Sequence, residues 1–254
     1  MSDGAIVVKL GGSTLGTHDT SLADCVALHQ AGRPVVIVHG GGATVSDWLA
    51  RLEVPVEWVD GLRKTTEQSR DVVVAVLAGL VNTTLVQQLN ALGARAVGLT
   101  GADAASLQSP ASARGLGLVG ETPQANTSLI ESLLASGYLP VLAPIGVTPH
   151  SNDLLNMNAD TAAGAIAAAL PAEHIVFLTD VAGILDGDGA VLAELCATGI
   201  SELRQGGVIS GGMLPKVDAC QRAAQHGAHA RIVDGRAPGA IPTALTGAGG
   251  TRVA

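Results

Sequence analysis

The chain changes from a buried strand to a helix within residues 34–52, which read PVVIVHGGGATVSDWLARL. The run of β-branched residues before His39 is apolar and too short for a helix, a pattern typical of a central strand in a parallel sheet. The three glycines that follow allow a tight turn and present backbone N–H groups at the N-terminus of the next helix. We therefore expect an anion site at 40–42 rather than a flexible turn, with His39 ordering the loop rather than reacting.

Short apolar runs alternate with helical stretches along the rest of the chain. Strands are predicted at 5–10, 34–38, 95–99, 139–143, 174–178 and 230–233, and helices at 21–31, 43–52, 66–92, 127–136, 160–170 and 215–226. This alternation predicts an α/β fold with a mostly parallel sheet covered by helices on both faces. Two segments, 114–121 and 145–158, lack the helical period and carry turn residues, so we expect β-hairpins or lids at the edge of the sheet.

Composition narrows the class of protein. The chain has 254 residues, enough for one large domain or two joined lobes, and 47% of them are hydrophobic. A net charge of −8 without a long basic run argues against a nucleic-acid surface. The three cysteines form no CxxC pair, and the N-terminus does not resemble a signal peptide. The apolar stretch 159–170 is shorter than the ~20 residues that span a bilayer, so we expect a cytoplasmic protein without a membrane partner.

Ligands of an open parallel sheet lie beyond the carboxyl ends of its strands, so the residues that follow the strands should converge. Lys9 ends the first strand and is followed by Gly11 and Gly12, which suits phosphoryl binding, although a surface lysine before a turn is an equally good interpretation. Thr179 and Asp180 follow a later strand, where they form either a nucleotide pocket or an ordinary turn. The chain has neither the GxGxxG pattern after its first strand nor a P-loop, which argues against a nicotinamide-dependent oxidoreductase.

Asn156, Asn158 and Asp160 stand together at the start of a predicted Ala-rich helix. Capping of the helix explains one such residue, and we expect function to override capping here. The two amides can hydrogen-bond a polar amino-acid ligand, and Asp160 can hold lysines in place. Arg63 either binds a carboxylate through two hydrogen bonds or is simply exposed.

A second glycine-then-lysine element lies at 211–216, GGMLPK. Pro215 fits the first turn of a helix. Lys216 would then lie near the positive end of the helix dipole, where a further cation is unfavourable. This placement indicates that an anion binds there.

Six motifs, in one order, connect the chain with a known family: Lys9 with Gly11 and Gly12, HGGG at 39–42, GLR at 61–63, NMNAD at 156–160, LTDVAGIL at 178–185 and GGMLPK at 211–216. Each motif is weak alone, but together they resemble those of the acetylglutamate kinases of the amino acid kinase family. The resemblance covers nearly the whole chain. Two positions depart from the family pattern. Leu10 stands where many members have an aromatic residue, and Thr83 stands where many have a lysine. Neither position takes part in the expected chemistry.

The resemblance implies a three-layer αβα sandwich around an open, mostly parallel sheet of about eight strands. Residues 1–170 would form a lobe that binds N-acetyl-L-glutamate and dimerises, and residues 171–254 a lobe that binds ATP, with Mg²⁺ held by the ATP phosphates. Lys9 and Lys216 would stabilise the transferring phosphoryl group, and Asp160 would orient both lysines. The other implied site residues are Gly11, Gly12, Gly41 and Gly42 for phosphate or the accepting carboxylate, Arg63, Asn156 and Asn158 for the amino acid, and Thr179, Asp180, Gly183, Ile184, Leu185, Ile209 and Met213 for the nucleotide.

Other functions stay open at this point. A kinase that acts on carrier-protein-linked aminoadipate or glutamate would be a relative within the family, but it should have a basic rim around its site. A non-catalytic amino-acid sensor could use the same scaffold, although it could lose Lys9, Lys216 and Asp160 freely. The chain begins directly at its first strand, without the N-terminal helix of arginine-inhibited relatives, so we expect an arginine-insensitive homodimer.

Overall fold

The structure, a computed structural model, describes residues 4–11, 20–59, 62–170 and 172–254. Its α-helices are α1 (Ser21–Gln30), α2 (Gly42–Arg51), α3 (Glu67–Val74), α4 (Thr83–Ala91), α5 (Ser128–Ala135), α6 (Ala159–Ala169), α7 (Ala197–Gln205), α8 (Met213–Ala224) and α9 (Ala240–Leu245). Its strands are β1 (Ala5–Leu10), β2 (Val35–His39), β3 (Trp58–Val59), β4 (Leu62–Arg63), β5 (Ala96–Thr100), β6 (Leu107–Gln108), β7 (Val119–Gly120), β8 (Gln124–Ala125), β9 (Leu139–Ala143), β10 (Ile145–Val147), β11 (Leu154–Met157), β12 (Ala172–Thr179), β13 (Glu194–Leu195), β14 (His229–Asp234) and β15 (Thr251–Val253).

The main sheet contains eight strands in the order β13-β15-β14-β12-β1-β2-β9-β5. The strands from β14 to β5 pair in parallel, whereas β15 runs antiparallel to β14. Alternate residues of β1 face opposite sides of the sheet, because Ala5 and Val7 join one hydrophobic core while Ile6 and Val8 join the other. Helices cover both faces, so the predicted α/β sandwich with a mostly parallel sheet is confirmed.

The predicted elements agree closely with the structure. Each of the six predicted strands and six predicted helices is present within two residues of its predicted bounds. The sequence analysis missed α7, α9 and the strands β3, β4, β6, β8 and β13. These elements are short. In addition, α7 contains Gly199 and α9 contains Pro242, and both residue types weaken a helical pattern.

A second sheet of five short strands has the order β7-β11-β10-β6-β8. The antiparallel pairing of β10 with β11 confirms a hairpin within 145–158, but its predicted location at the edge of the main sheet is wrong. The predicted hairpin at 114–121 is reduced to one antiparallel bridge between Ala111 and Gly120, since β7 pairs in parallel with β11. Gly117 also packs against Thr65, where an added Cβ would lie 2.4 Å from the carbonyl oxygen. Residues 114–121 therefore pair mainly with β11 and Thr65 rather than with each other.

Helix α3, a π-helical segment (Ala75–Asn82) and α4 form one continuous helix, Glu67–Ala91. Its most apolar window has a mean hydropathy of 1.8, so by length and composition this 25-residue helix could cross a membrane, unlike the stretch 159–170. Within that window, 33% is buried inside the protein. One such helix is only a weak indication, because core helices of soluble proteins meet the same criteria.

Helices α6 and α8 pack closely against each other. At their contact, a Cβ on Gly164 would lie 2.7 Å from the Cβ of Ala219, so two small residues set the spacing of the helices. Asp160 lies one turn before Gly164, and Lys216 lies one turn before Ala219. The close approach of the helices therefore brings these two polar residues to the same end of the pair.

The variant Gly164→Ala should destabilise the protein by about 1–3 kcal/mol, because the added methyl group forces α6 and α8 apart. Gly79→Ala is the matched control. Gly79 also lies within a helix, but nothing stands within 4 Å of its Cβ position, so alanine should be neutral or stabilising there. Urea unfolding followed by circular dichroism measures both variants. Equal stabilities would contradict the role of Gly164 in helix spacing.

Candidate active site

Two lysines and one aspartate meet at the carboxyl end of β1. The Asp160 Oδ1 atom lies 2.8 Å from Lys9 Nζ, and Asp160 Oδ2 accepts a 2.9 Å hydrogen bond from Lys216 Nζ. All three residues are buried, with exposed fractions of 6% for Asp160 and 7% for each lysine. Lys9 belongs to β1, Asp160 to the first turn of α6 and Lys216 to the first turn of α8. Residues far apart in the sequence thus form one buried cluster, called here the lysine cluster.

The pKa values in the lysine cluster reflect burial together with the charges of its three side chains. Burial lowers the pKa of Lys9, the Asp160 carboxylate raises it and the Lys216 ammonium lowers it, with a net shift downward. Burial alone would raise the pKa of Asp160, but the ammonium groups of Lys9 and Lys216 lower it below its ordinary value. Asp160 therefore stays ionised, and the uncompensated positive charge of the cluster favours the binding of an anion.

A cavity of about 240 Å³, called here the Arg63 cavity, has Lys9 and Asp160 in its wall. Gly41 and Gly42 line it at the N-terminus of α2. A Cβ on Gly41 would lie 2.6 Å from the Leu77 side chain, so the absence of a side chain lets the loop pass this close to the long helix. A helix N-terminus beside a cavity favours an anionic ligand.

Arg63 lies on β4 in the wall of this cavity and is 7% exposed. Its Nη2 donates hydrogen bonds to the carbonyl oxygen of Gly42 and to Ser46 Oγ, at 3.1 and 2.7 Å, and its guanidinium carbon lies 4.5 Å from the centre of the Trp58 ring. Its Nη1 is buried without a hydrogen-bond partner among the described residues. Because a buried, unpaired guanidinium nitrogen is costly, the position suits a ligand carboxylate. The sequence analysis missed Ser46 and Trp58. Only 2% of the residues are aromatic, so the presence of a tryptophan five residues before Arg63 was the available signal for Trp58.

Asn156 and Asn158 also line the Arg63 cavity. Asn156 Nδ2 donates a 3.1 Å hydrogen bond to Thr65 Oγ1. Asn158 is the N-cap of α6, where its Oδ1 accepts from the N–H groups of Asp160 and Thr161 at 2.8 and 3.1 Å. The expectation that function overrides capping is therefore wrong at Asn158, because its oxygen satisfies the helix N-terminus and only its amide nitrogen is left to reach a ligand.

A second cavity of about 370 Å³, called here the Thr179 cavity, also contains the lysine cluster. Four of the residues predicted to bind the nucleotide line it: Gly11, Thr179, Asp180 and Met213. Thr179 ends β12, the neighbour of β1, which explains why it lies beside Lys9. The structure thus brings together residues from three separate motifs.

The remaining residues predicted to bind the nucleotide lie outside the wall of the Thr179 cavity. Ile184 and Ile209 are each 2% exposed and belong to the hydrophobic core. A Cβ on Gly183 would lie 2.7 Å from Thr251 Oγ1, so this glycine allows a close approach of the chain, and Leu185 is exposed. Gly12 lies outside the described residues.

The lysine cluster lies where the contents of the two cavities would meet, because Lys9 and Asp160 belong to both. A phosphorylated ligand in one cavity and an anionic acceptor in the other would both face ammonium groups. Such groups can neutralise charge on a phosphoryl group during transfer. The arrangement fits phosphoryl transfer to a carboxylate, which is nucleophilic without a general base.

The sequence matches the amino acid kinase family over residues 4–234. The chain belongs to this family. It is similar to an acetylglutamate kinase of Dehalococcoides mccartyi, with 43% identity over 251 residues that cover 97% of this chain and 92% of the relative. An acetylglutamate kinase of Ruegeria sp. is 41% identical over 243 residues, which cover 94% and 85% of the two chains. The crystal structure of smu.665 from Streptococcus mutans UA159 superposes with a TM-score of 0.86 at 30% identity, covering 100% of this chain and 99% of the other.

A buried hydrogen-bond network supports the glycine loop of this amino acid kinase family member. His39 is fully buried, and its Nδ1 donates a 2.7 Å hydrogen bond to the carbonyl oxygen of Gly40. Asn82 Nδ2 donates to the carbonyl oxygen of Val141 at 2.9 Å and lies 3.0 Å from His39 Nε2. Because the Asn82 nitrogen is a donor, His39 Nε2 carries a lone pair and the imidazole is neutral. Burial lowers the pKa of His39 to about 4, which agrees with this tautomer.

The free energy of unfolding should fall as the pH drops from 6.5 to about 4, because the unfolded chain protonates His39 near its ordinary pKa and the folded protein only near the lowered one. The contribution of this residue to the loss should reach about 3 kcal/mol at the acid end of that window. The variant His39→Gln keeps an acceptor for Asn82 but does not titrate in this range, so it should lack this part of the loss of stability. Urea unfolding of both proteins at about pH 7, 5.5 and 4.5 measures the difference. A difference that is constant across this range would contradict the neutral tautomer.

Proposed function

We propose that this protein is an acetylglutamate kinase, which transfers the γ-phosphoryl group of ATP to the γ-carboxylate of N-acetyl-L-glutamate and makes an acyl phosphate for arginine biosynthesis. The observation that carries the proposal is the similarity, at 41% and 43% identity over more than nine-tenths of the chain, to enzymes of that name. The excess positive charge of the lysine cluster supports it, since both substrates are anions.

In this proposal, the lysine cluster is the catalytic centre. Lys9 and Lys216 flank the transferring phosphoryl group, and Asp160 holds both ammonium groups in place. The accepting carboxylate attacks directly, so catalysis consists of positioning and charge neutralisation. The N–H groups of Gly11 and Gly12 add hydrogen bonds to the phosphate oxygens.

The Arg63 cavity binds N-acetyl-L-glutamate. Arg63 Nη1, which lacks a partner among the described residues, binds the α-carboxylate. The amide groups of Asn156 and Asn158 bind the rest of the amino acid. The N–H groups of Gly41 and Gly42 orient the reacting carboxylate toward the lysine cluster.

The Thr179 cavity binds ATP, with Thr179 and Asp180 at the nucleoside and Met213 beside it. Gly183, Ile184, Leu185 and Ile209 also belong to the nucleotide site in this proposal. Mg²⁺ enters with ATP, whose phosphates supply most of its ligands.

Residues 1–170 form the acetylglutamate lobe and residues 171–254 the ATP lobe of a homodimer. The exposed face of the helix Glu67–Ala91, with Leu80 43% exposed, supports dimerisation, as does the position of β5 at the edge of the sheet. An apolar helix face and an unpaired strand edge are both stabilised by contact with a second copy. The protein works in the cytoplasm, where cysteines stay reduced.

The test of the proposed function traps the acyl phosphate. The protein is incubated with MgATP, N-acetyl-L-glutamate and hydroxylamine, and the hydroxamate is measured. We expect hydroxamate from N-acetyl-L-glutamate and little from free glutamate or aspartate. Hydroxamate from none of the three would overturn the proposal in favour of a sensor, and activity only on a carrier-protein-linked substrate would establish the alternative kinase.

A further inference from the structure

A groove of about 780 Å³ adjoins the Arg63 cavity. Leu62, Val119 and Asn158 line both spaces, so the groove and the cavity share one wall. The combined space is several times larger than a two-carbon acyl group requires. The proposed function does not use the groove.

The groove and the nucleotide site lie on different faces of α8. The groove is lined by one face of the helix, at Pro215, Asp218, Ala219 and Arg222. Met213 and Lys216, which line the Thr179 cavity, lie on another face. Gly212, at the start of the helix, lines both spaces, so a nucleotide in the Thr179 cavity touches only this end of the groove and leaves most of it open.

Each charged side chain of the groove already has a polar partner, and Asp218 forms an ion pair with Arg204. Arg114 forms an ion pair with Glu121, and Arg222 Nη1 donates a 2.8 Å hydrogen bond to the carbonyl oxygen of Pro123. Much of the remaining lining is apolar, including Leu62 and Val119 at the shared wall. Such a surface favours an uncharged, apolar ligand group over an anion.

The geometry of the Arg63 cavity limits where the acyl group of the acceptor can lie. The reacting carboxylate must face Lys9, and the α-carboxylate must face Arg63. The third substituent of the α-carbon is the acylated nitrogen, and Leu62 and Val119 mark the side of the cavity that borders the groove.

We infer that the groove receives the part of an N-acyl group that extends beyond the two carbons of acetyl, so that the protein also phosphorylates glutamate derivatives whose linear acyl chains are longer than acetyl. This inference rests on the proposed function. Leu62 and Val119 then determine specificity, because an acyl chain longer than acetyl passes from the cavity into the groove at these residues. The groove, and not the Arg63 cavity, sets the longest chain that is accepted.

The test compares N-acetyl-, N-butyryl- and N-hexanoyl-L-glutamate in the hydroxamate assay. For the unmodified protein, we expect the kcat/KM of the two longer substrates to lie within about tenfold of that of N-acetyl-L-glutamate. Thr122→Trp places a large side chain in the groove at an exposed position that the proposed mechanism does not use. It should lower the hexanoyl-to-acetyl ratio of kcat/KM by at least about tenfold and leave the value for N-acetyl-L-glutamate unchanged.

The matched control is Ser132→Trp, an equally drastic change at an exposed position on α5 that should leave the ratio unchanged. Normal activity on the acetyl compound without activity on the longer ones overturns the inference and leaves the proposed function standing. The same holds if Thr122→Trp does not alter the ratio, because the acyl chain then lies elsewhere. Failure of all three substrates overturns both.

Discussion

Lys216→Ala should lower kcat by about 10²–10⁴-fold while the KM for N-acetyl-L-glutamate stays nearly constant. Lys216 lines the Thr179 cavity and not the Arg63 cavity, so in the proposed mechanism it acts on the phosphoryl group and not on the bound acceptor. Its removal leaves Asp160 paired with Lys9 alone, which makes the cluster electrically neutral. The charge on the transferring phosphoryl group then loses a counterion in the transition state.

Steady-state kinetics in the hydroxamate assay measures this effect, and circular dichroism checks that the variant is folded. Lys64→Ala is the matched control, since Lys64 is partly exposed and forms a 2.7 Å ion pair with Glu57 away from the lysine cluster. It should retain the original kcat. An unchanged kcat in Lys216→Ala would refute the catalytic role of this lysine.

Arg63→Ala should instead raise the KM for N-acetyl-L-glutamate by about 10–100-fold, with a smaller effect on kcat. The guanidinium group is held by Gly42, Ser46 and the Trp58 ring, so its position is fixed before a ligand arrives. Its unpaired Nη1 then binds a carboxylate with little loss of side-chain entropy. Alanine removes that hydrogen bond and leaves the ligand carboxylate without a cation.

Arg51→Ala provides the control for this prediction. Arg51 also lies over a tryptophan, with its guanidinium carbon 5.5 Å from the centre of the Trp48 ring, but it is exposed and pairs with Asp47. Its removal should leave both Michaelis constants unchanged. If Arg63→Ala weakens only the binding of ATP, the proposed assignment of the two lobes is reversed.

The parts of the candidate site that could be predicted from the sequence are those at the end of a strand or directly after it. The glycines at 40–42 and the pair Thr179 and Asp180 follow buried apolar runs, and the structure places them at the carboxyl end of the parallel sheet. Lys9 belongs to the same group. Strand pattern and polarity are local properties, so a single sequence displays them.

The residues around 183–185 show what such reasoning cannot decide. Ile184 and Ile209 lie in motifs next to the candidate nucleotide site, yet both side chains pack in the core. Asn158 was assigned to a ligand, yet its oxygen caps α6. Proximity in sequence to a functional residue does not determine which way a side chain points, because tertiary packing decides this.

The sequence by itself determined the alternation of strands and helices, the glycine turns and the positions that could carry charge. It could not determine that Lys9 and Lys216 share one carboxylate, since this depends on the order β12-β1-β2 in the sheet and on the contact of Gly164 with Ala219. Nor could it reveal the groove beside the Arg63 cavity. Periodicity along a chain reflects burial within one element, whereas the distance between elements depends on how their side chains pack.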